Sequence, residues 1–127
     1  MSTITELQKE ISDWADTVFP ERTAHGALVK LMTEEIPELC LCPDSAGEFA
    51  DCVVLLFDIA TLNGIDIATA VRDKMAINRQ RTWAIDHSTG LMRHVDGHGP
   101  AMARHLAKRG LGNTQELSDQ VFKVLIR

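Results

Sequence analysis

The chain has 127 residues and a formal net charge of −5. This is the scale of one domain with a modest core, and the charge leaves no basic footprint for a nucleic acid polymer. No apolar run approaches membrane-spanning length, the N-terminal segment lacks a signal-peptide pattern, and three cysteines, an odd number, give no disulfide framework; a cytoplasmic protein without a membrane partner is expected.

The first predicted helix opens on Thr3-x-x-Glu6, the spacing of a capping box, where a hydroxyl and a carboxylate each satisfy one orphan N–H. Leu7, Ile11, Trp14 and Val18 follow at helical spacing and read as the core-facing stripe, until Phe19-Pro20 ends the helix. Trp14 is most simply a core residue. Its other use is as a flat apolar surface for a nucleotide base.

A second helix is expected from Thr23 to Leu39 or Cys40. Ala24, Leu28, Leu31, Met32, Ile36 and Leu39 form its apolar stripe, with Glu35 in the middle and Glu38 at the edge. Glu34, Glu35 and Glu38 could be a solvated face, but charges on an apolar stripe are rarely left unpaired. Pro37 lies between the two glutamates, where it removes a hydrogen bond and clashes one turn back. A kink or an early loosening of the last turn is therefore expected, and a kink could rotate Glu38 away from Glu35.

Ser45-x-x-Glu48 opens the third helix as another capping box. Glu48-x-x-Asp51 repeats the spacing of Glu35-x-x-Glu38, and residues three apart share a helix face. The short turn around Pro43 and Gly47 makes the two helices antiparallel neighbours, which brings the acidic pairs face to face. From Cys52 to Leu62 the helix is apolar almost all round, broken mainly by Asp58, two turns beyond Asp51 and nearly in line with it. Such a helix is buried, partly between subunits. A buried carboxylate costs several kcal/mol unless it is paired or binds metal, so acids converging on this seam point to hard cations such as Mg²⁺, which take oxygen ligands. Cys40, Cys42 and Cys52 lack the spacing of a zinc knuckle and read as small hydrophobes.

Asn63-Gly64 ends the third helix, and Asp66 caps a fourth that runs to about Thr82. Along one face Ile67, Ala70 and Val71 give way to Lys74, Asn78 and Arg81 at i, i+4, i+7. These are either surface charges, with Lys74 paired to Asp58, or donors to phosphate oxygens. Trp83, Ile85 and His87, then Leu91, Arg93 and Val95, alternate around Ser88-Thr89-Gly90 as a small β-hairpin. Residues 97–100 form a linker, and two short helices follow, near Ala101–Lys108 and from Asn113 to Ile126. His87, His94, His98 and His105 lack ligand spacing and read as surface or local hydrogen-bonding groups. The expected organisation is a domain over residues 1–96 and an extension over 97–127, packed on that domain or on a partner subunit.

Taken together, EE-x-x-E, E-x-x-D, G-I-D and K-x-x-x-N-x-x-R-x-W resemble the MazG-like all-α nucleoside triphosphate pyrophosphohydrolases. Trp14…Phe19-Pro20 and the step from Glu38 to Glu48 are most similar to the phage-type branch described as dATP/dGTP diphosphohydrolases. The resemblance covers residues 7–95, with Pro37 and the extension after Val95 as departures. It implies an all-α, antiparallel four-helix bundle with a small C-terminal hairpin and short C-terminal helices, assembled as a homodimer or homotetramer, in the host cytoplasm if phage-encoded. It implies Mg²⁺, with Mn²⁺ able to substitute, on Glu35, Glu38, Glu48 and Asp51, over a nucleoside triphosphate cut to the monophosphate and pyrophosphate. Lys74 and Arg81 would neutralise phosphate oxygens, Asn78 would hold sugar or phosphate, and Trp14 would contact the base. Glu34 could act as a base behind the ligands, which makes Glu34, Glu35 and Lys74 the catalytic candidates. A purine substrate follows from the branch, and dGTP slightly ahead of dATP is a further expectation that the branch does not supply. A pyrimidine or damaged nucleotide, or a non-enzymatic helical module whose acids form interchain salt bridges, are the alternatives.

Overall fold

The computed structural model describes residues 3–95 and 100–125. The elements are α1 (Thr3–Val18), α2 (Ala24–Lys30), a π-helical segment (Leu31–Glu35), α3 (Ile36–Leu41), α4 (Ala46–Leu62), α5 (Ile67–Gln80), β1 (Trp83–Ile85), β2 (Met92–His94), α6 (Pro100–Lys108) and α7 (Thr114–Leu125). The chain is thus mostly helical with one small antiparallel hairpin, the expected class. It divides into two compact units, Met1–Arg72 and Asp73–Arg127. The boundary expected between residues 96 and 97 falls outside the described residues.

In the first unit α1 packs on α4, and α4 runs back along α3, the π segment and α2. Thr23 caps α2 by accepting from the Gly26 N–H at 3.0 Å. Ser45 caps α4 by accepting from the Glu48 N–H at 3.3 Å. Thr3 lies inside α1 instead of capping it.

The strain of Pro37 is absorbed upstream of it. A proline has no N–H to give and its ring crowds the carbonyl one turn back. Here the turn before it is widened into the π segment, closed by the Ile36 N–H donating to the Leu31 carbonyl, five residues back. The helix continues through Pro37 to Leu41, so Glu35 and Glu38 stay on one side. Such π turns recur at functional sites.

The face that α1 buries is not the expected one. Gln8, Ser12 and Ala15 are buried, whereas Leu7, Trp14 and Val18 are exposed. Gln8 explains the choice. Its Nε2 donates to Thr61 Oγ1 at 3.0 Å and to the Ile65 carbonyl at 2.7 Å, and its Oε1 accepts from the Ile67 N–H at 2.9 Å. One amide side chain thus joins α1 to the turn after α4 and satisfies an orphan donor at the start of α5. That turn reverses at Gly64, whose φ of 70° favours glycine.

Helix α4 also departs from expectation. Cys52, Asp58, Ile59 and Ala60 are buried, but Phe49, Val53, Val54, Leu56 and Leu62 are exposed. An apolar surface of this kind along one helix is what interaction sites expose.

In the second unit the hairpin pairs Trp83 with His94, Ala84 with Arg93 and Ile85 with Met92. Its turn is set by Gly90 at φ 75°, whose N–H donates to the Asp86 carbonyl at 2.6 Å. Helix α6 ends on Gly110 with the Leu111 N–H donating to the Leu106 carbonyl at 2.9 Å, the bond pattern of a glycine C-cap. Asn113 caps α7 through the Glu116 N–H at 2.9 Å. Residues 97–99 of the expected linker and His98 lie outside the described residues. No single helix among the described residues is long and apolar enough to cross a membrane.

Candidate metal centre and nucleotide cavity

Glu35 ends the π segment, Glu38 stands in the first turn of α3, and Glu48 and Asp51 stand in the first two turns of α4. The short connection from Leu41 to Ala46 turns the two helices against each other, so four carboxylates meet. One oxygen from each of Glu35, Glu38, Glu48 and Asp51 lies within 4.8 Å of the others. These are the four acids selected by spacing alone.

The cluster carries more negative charge than its own surroundings balance. Glu35 is buried, with its side chain 10% exposed, and among the described residues Lys30 pairs with it, at 3.3 Å on Oε1. Glu35 Oε2 and Glu48 Oε2 are buried with no hydrogen-bond partner. The Glu35 carboxylate, then burial, then Glu48 raise the pKa of Glu38 above its ordinary value. Orphaned buried oxygens and mutually repelling acids fit a hard divalent cation, because oxygen donors are its preferred ligands. The Ser45 capping box forms only in half: the serine caps, and the Glu48 carboxylate joins the cluster.

The cluster adjoins a cavity of about 830 Å³, within the size range of small-molecule sites. Glu35 and Asp51 line it at the acidic side, Ile11, Trp14, Val18 and Phe19 supply apolar walls, and Arg22, Lys30 and Asp58 add charge. Trp14 is 55% exposed and meets Phe19 edge-on at 6.0 Å between ring centroids. It is therefore wall, not core, because α1 spends its packed face on Gln8, Ser12 and Ala15.

Asp58 does not join the acids. Arg22 grips it in a two-pronged pair, Nε to Oδ2 at 2.6 Å and Nη2 to Oδ1 at 2.9 Å. Arg22 Nη1 also donates to Asp16 Oδ1 at 2.8 Å. Asp58, first among the causes, holds the guanidinium pKa well above its usual value. Sequence reading overlooked Arg22, although an acid on an otherwise apolar helix demands a cation, and a planar fork serves a buried carboxylate better than an ammonium. It also overlooked Lys30, which binds Glu34 Oε2 at 2.6 Å as well as Glu35. Hydrogen bonding to Glu34 leads the causes that raise the Lys30 pKa.

Glu34 stands outside the four-acid cluster, exposed and bound to Lys30. In the second unit, Lys74 and Asn78 are on α5 and Arg81 follows its end. Asn78 accepts from Trp83 Nε1 at 2.8 Å through its carbonyl, and its Oδ1 is buried with no partner. Arg81 Nη2 lies 3.0 Å from His94 Nδ1. Cys40 and Cys42 are exposed, and burial, chief among the causes, pushes the Cys52 thiol pKa up. None of the three belongs to the cluster.

The family model of the dATP/dGTP pyrophosphohydrolases matches residues 7–101. A dATP/dGTP diphosphohydrolase of Salmonella phage PMBT28 is 56% identical over 82 residues, which are 64% of this chain and 28% of that longer protein. The dATP/dGTP diphosphohydrolase of cyanophage S-2L is 44% identical over 99 residues, 76% of this chain and 91% of the relative. Among solved structures, the cyanophage S-2L MazG-like pyrophosphohydrolase bound to dGDP and three catalytic Mn²⁺ ions per active site superimposes with a TM-score of 0.66 at 43% identity, covering 75% of this chain and 99% of that one. With a family match across most of its length and this shared helical architecture, the chain belongs to the dATP/dGTP pyrophosphohydrolase family of MazG-like enzymes.

Proposed function

We propose that the chain hydrolyses purine deoxynucleoside triphosphates, dGTP and dATP, to the monophosphate and pyrophosphate, and that it needs Mg²⁺ or Mn²⁺ to do so. Support comes chiefly from one juxtaposition: Glu35 and Asp51 belong both to the four-acid cluster and to the wall of the apolar cavity. A ligand with a flat apolar end and a polyanionic end would use both at once. The relatives' names and the Mn²⁺ ions of the cyanophage structure support the same chemistry.

Glu35, Glu38, Glu48 and Asp51 would hold the cations, which when bound polarise phosphoryl oxygens and lower the pKa of water. Trp14, with Phe19 at its edge, offers the base a face to stack on. The buried side of Glu35 excludes water from one flank of the acids. The attacking water gives up a proton toward the proposed base Glu34 as its oxygen bonds to the α-phosphorus. The bridge to the β-phosphate breaks, and pyrophosphate leaves with the electron pair of that bond. Such transfers draw most of their rate from positioning and charge neutralisation. The family resemblance assigns Lys74 and Arg81 to phosphate oxygens and Asn78 to sugar or phosphate; the helical spacing of Lys74 and Asn78 supports a shared face, and Arg81 follows the end of that helix. Glu34, tied to Lys30, is proposed as a base acting from behind the ligands. The exposed apolar side chains of α4 support a homodimer or homotetramer.

The test is turnover of dGTP, dATP, dCTP and dUTP with Mg²⁺, with Mn²⁺ and with chelator, the products resolved by anion exchange. Purine monophosphate and pyrophosphate, formed only with metal, is the expected result. Release of orthophosphate, or activity unchanged by chelator, would refute the proposal.

A further inference from the structure

We propose that the Arg22–Asp58 pair reads the base, and that it works as a gauge of length: it hydrogen-bonds the outer edge of a purine and lies beyond the reach of a pyrimidine. This rests on the nucleotide reading above and adds to it the group that selects the base.

Three observations carry it. Both residues line the cavity, and both side chains are largely buried, 13% and 7% exposed. On α4, Asp58 stands seven residues beyond Asp51, about 10.5 Å along the axis at 1.5 Å per residue. With phosphates at the Asp51 end, the sugar and the base extend toward Asp58, and a second ring carries the base edge further. Finally, the pair keeps hydrogen-bonding capacity after its own bonds are made. Arg22 spends Nε–H and one Nη2–H on Asp58, and gives Nη1 to Asp16 and, at 3.4 Å, to the Phe19 carbonyl. One Nη2–H remains, beside carboxylate oxygens that each accept one bond from Arg22 and can accept another.

A donor next to an acceptor matches both purines. Guanine presents O6 beside N1–H, and adenine presents N1 beside N6–H. The two carry donor and acceptor in opposite order, so adenine gives N1 to the guanidinium and N6–H to the carboxylate in a pose turned over relative to that of guanine, and the pair accepts both purines in these two poses. A pyrimidine has similar groups but carries them closer to the sugar. It would leave the buried pair short of partners, a condition that hydrogen-bonding sites penalise.

The experiment compares wild type with Asp58→Asn and Arg22→Lys. The substrates are dGTP, dCTP and purine 2′-deoxyriboside triphosphate, whose six-membered ring has no exocyclic group. Affinities for the uncleavable α,β-imido forms are measured beside kcat/KM, and Mn²⁺ affinity and helical content serve as controls. Wild type is expected to favour dGTP over both others by about tenfold or more. In either variant the gap should shrink several-fold, with Mn²⁺ affinity unchanged. A folded variant that loses dGTP and dCTP by one common factor, or keeps the wild-type gap, overturns the proposal and leaves the pair as a strut. If Asp58→Asn fails to fold, Arg22→Lys decides alone, because it keeps the charge and loses the planar fork. If the wild type cleaves no nucleotide, the proposed function falls, and the imido-nucleotide affinities still judge the gauge.

Discussion

Glu35 belongs to both halves of the site: its side chain is largely buried, one oxygen pairs with Lys30 and the other has no hydrogen-bond partner among the described residues. An acid held so is poised for a cation, and Glu38 and Asp51 complete the set from exposed positions. Glu38→Gln and Asp51→Asn are each expected to abolish metal-dependent turnover nearly completely while keeping wild-type helical content. Calorimetric titration with Mn²⁺ checks the cause, since affinity should fall with activity. Gln8 makes a different prediction. It supplies three hydrogen bonds across α1 and the turn after α4, each worth about 1 kcal/mol net, and its removal strands a carbonyl and an N–H. Gln8→Ala should therefore cost about 2–4 kcal/mol in denaturant unfolding. At this scale the sequence was half legible. Four acids at i, i+3 spacing announced themselves, because helical geometry alone decides which face they share. The packed face of α1 was misread and Gln8 went unnoticed, because a stripe of Leu7, Ile11, Trp14 and Val18 outweighs one glutamine in any hydropathy pattern. The glutamine's partners are more than fifty residues away, where no local pattern reaches.

Among the elements, the π segment has the least obvious cause in sequence. Pro37 announces that something must give, but a kink, a frayed turn and a widened turn all relieve the same clash. In the structure the widened turn and α3 both pack against α4. Replacing the proline tests this: Pro37→Ala restores the missing donor and removes the crowding, so Leu31–Glu35 is free to tighten into an ordinary α turn. Helical content should hold while Mn²⁺ affinity weakens, by about tenfold or more if the effect matches that of disturbing the groups that orient metal ligands. At the start of α5, Asp66 accepts from the Thr69 hydroxyl at 2.7 Å and N–H at 3.0 Å and from Thr5 at 3.1 Å. Those bonds, that from the Thr69 hydroxyl first, lower its pKa below the ordinary 3.8. The fold therefore favours its ionised form. The resulting stability is present above pH 3.8, the unfolded value, and is lost as pH falls through the lower folded one. Asp66→Asn has no proton to take up. Wild type should be the more stable near neutral pH, and the difference should close on acidification, as melting curves against pH would show.

For the molecule as a whole, the apolar surface of α4 predicts an assembly of more than one chain. Phe49, Val53 and Leu56 are exposed and share one face of the helix at its 3.6-residue period. Light scattering at micromolar concentration should give a dimer or tetramer, and Leu56→Lys with Val53→Lys should shift it toward smaller species. A stable wild-type monomer would refute the assembly. The fold class was readable because long helices with capping residues and a glycine-marked hairpin are local features. The buried side of α4 was not, since an all-round apolar helix says that both sides will be covered without saying by what.

The π turn and the two acids of α4 together give the site a modular grammar. Asp51 belongs to the acidic cluster and the cavity wall, Asp58 to the cavity wall alone, and two helical turns separate them. Substitutions around Arg22 and Asp58 can alter which bases are admitted without moving a carboxylate of the cluster, and changes at the cluster leave the cavity's far wall in place. Selection can thus retune the diet of such a protein by drift at a few wall positions. A lineage living on unusual nucleotides would need no new catalytic centre, only a new lining.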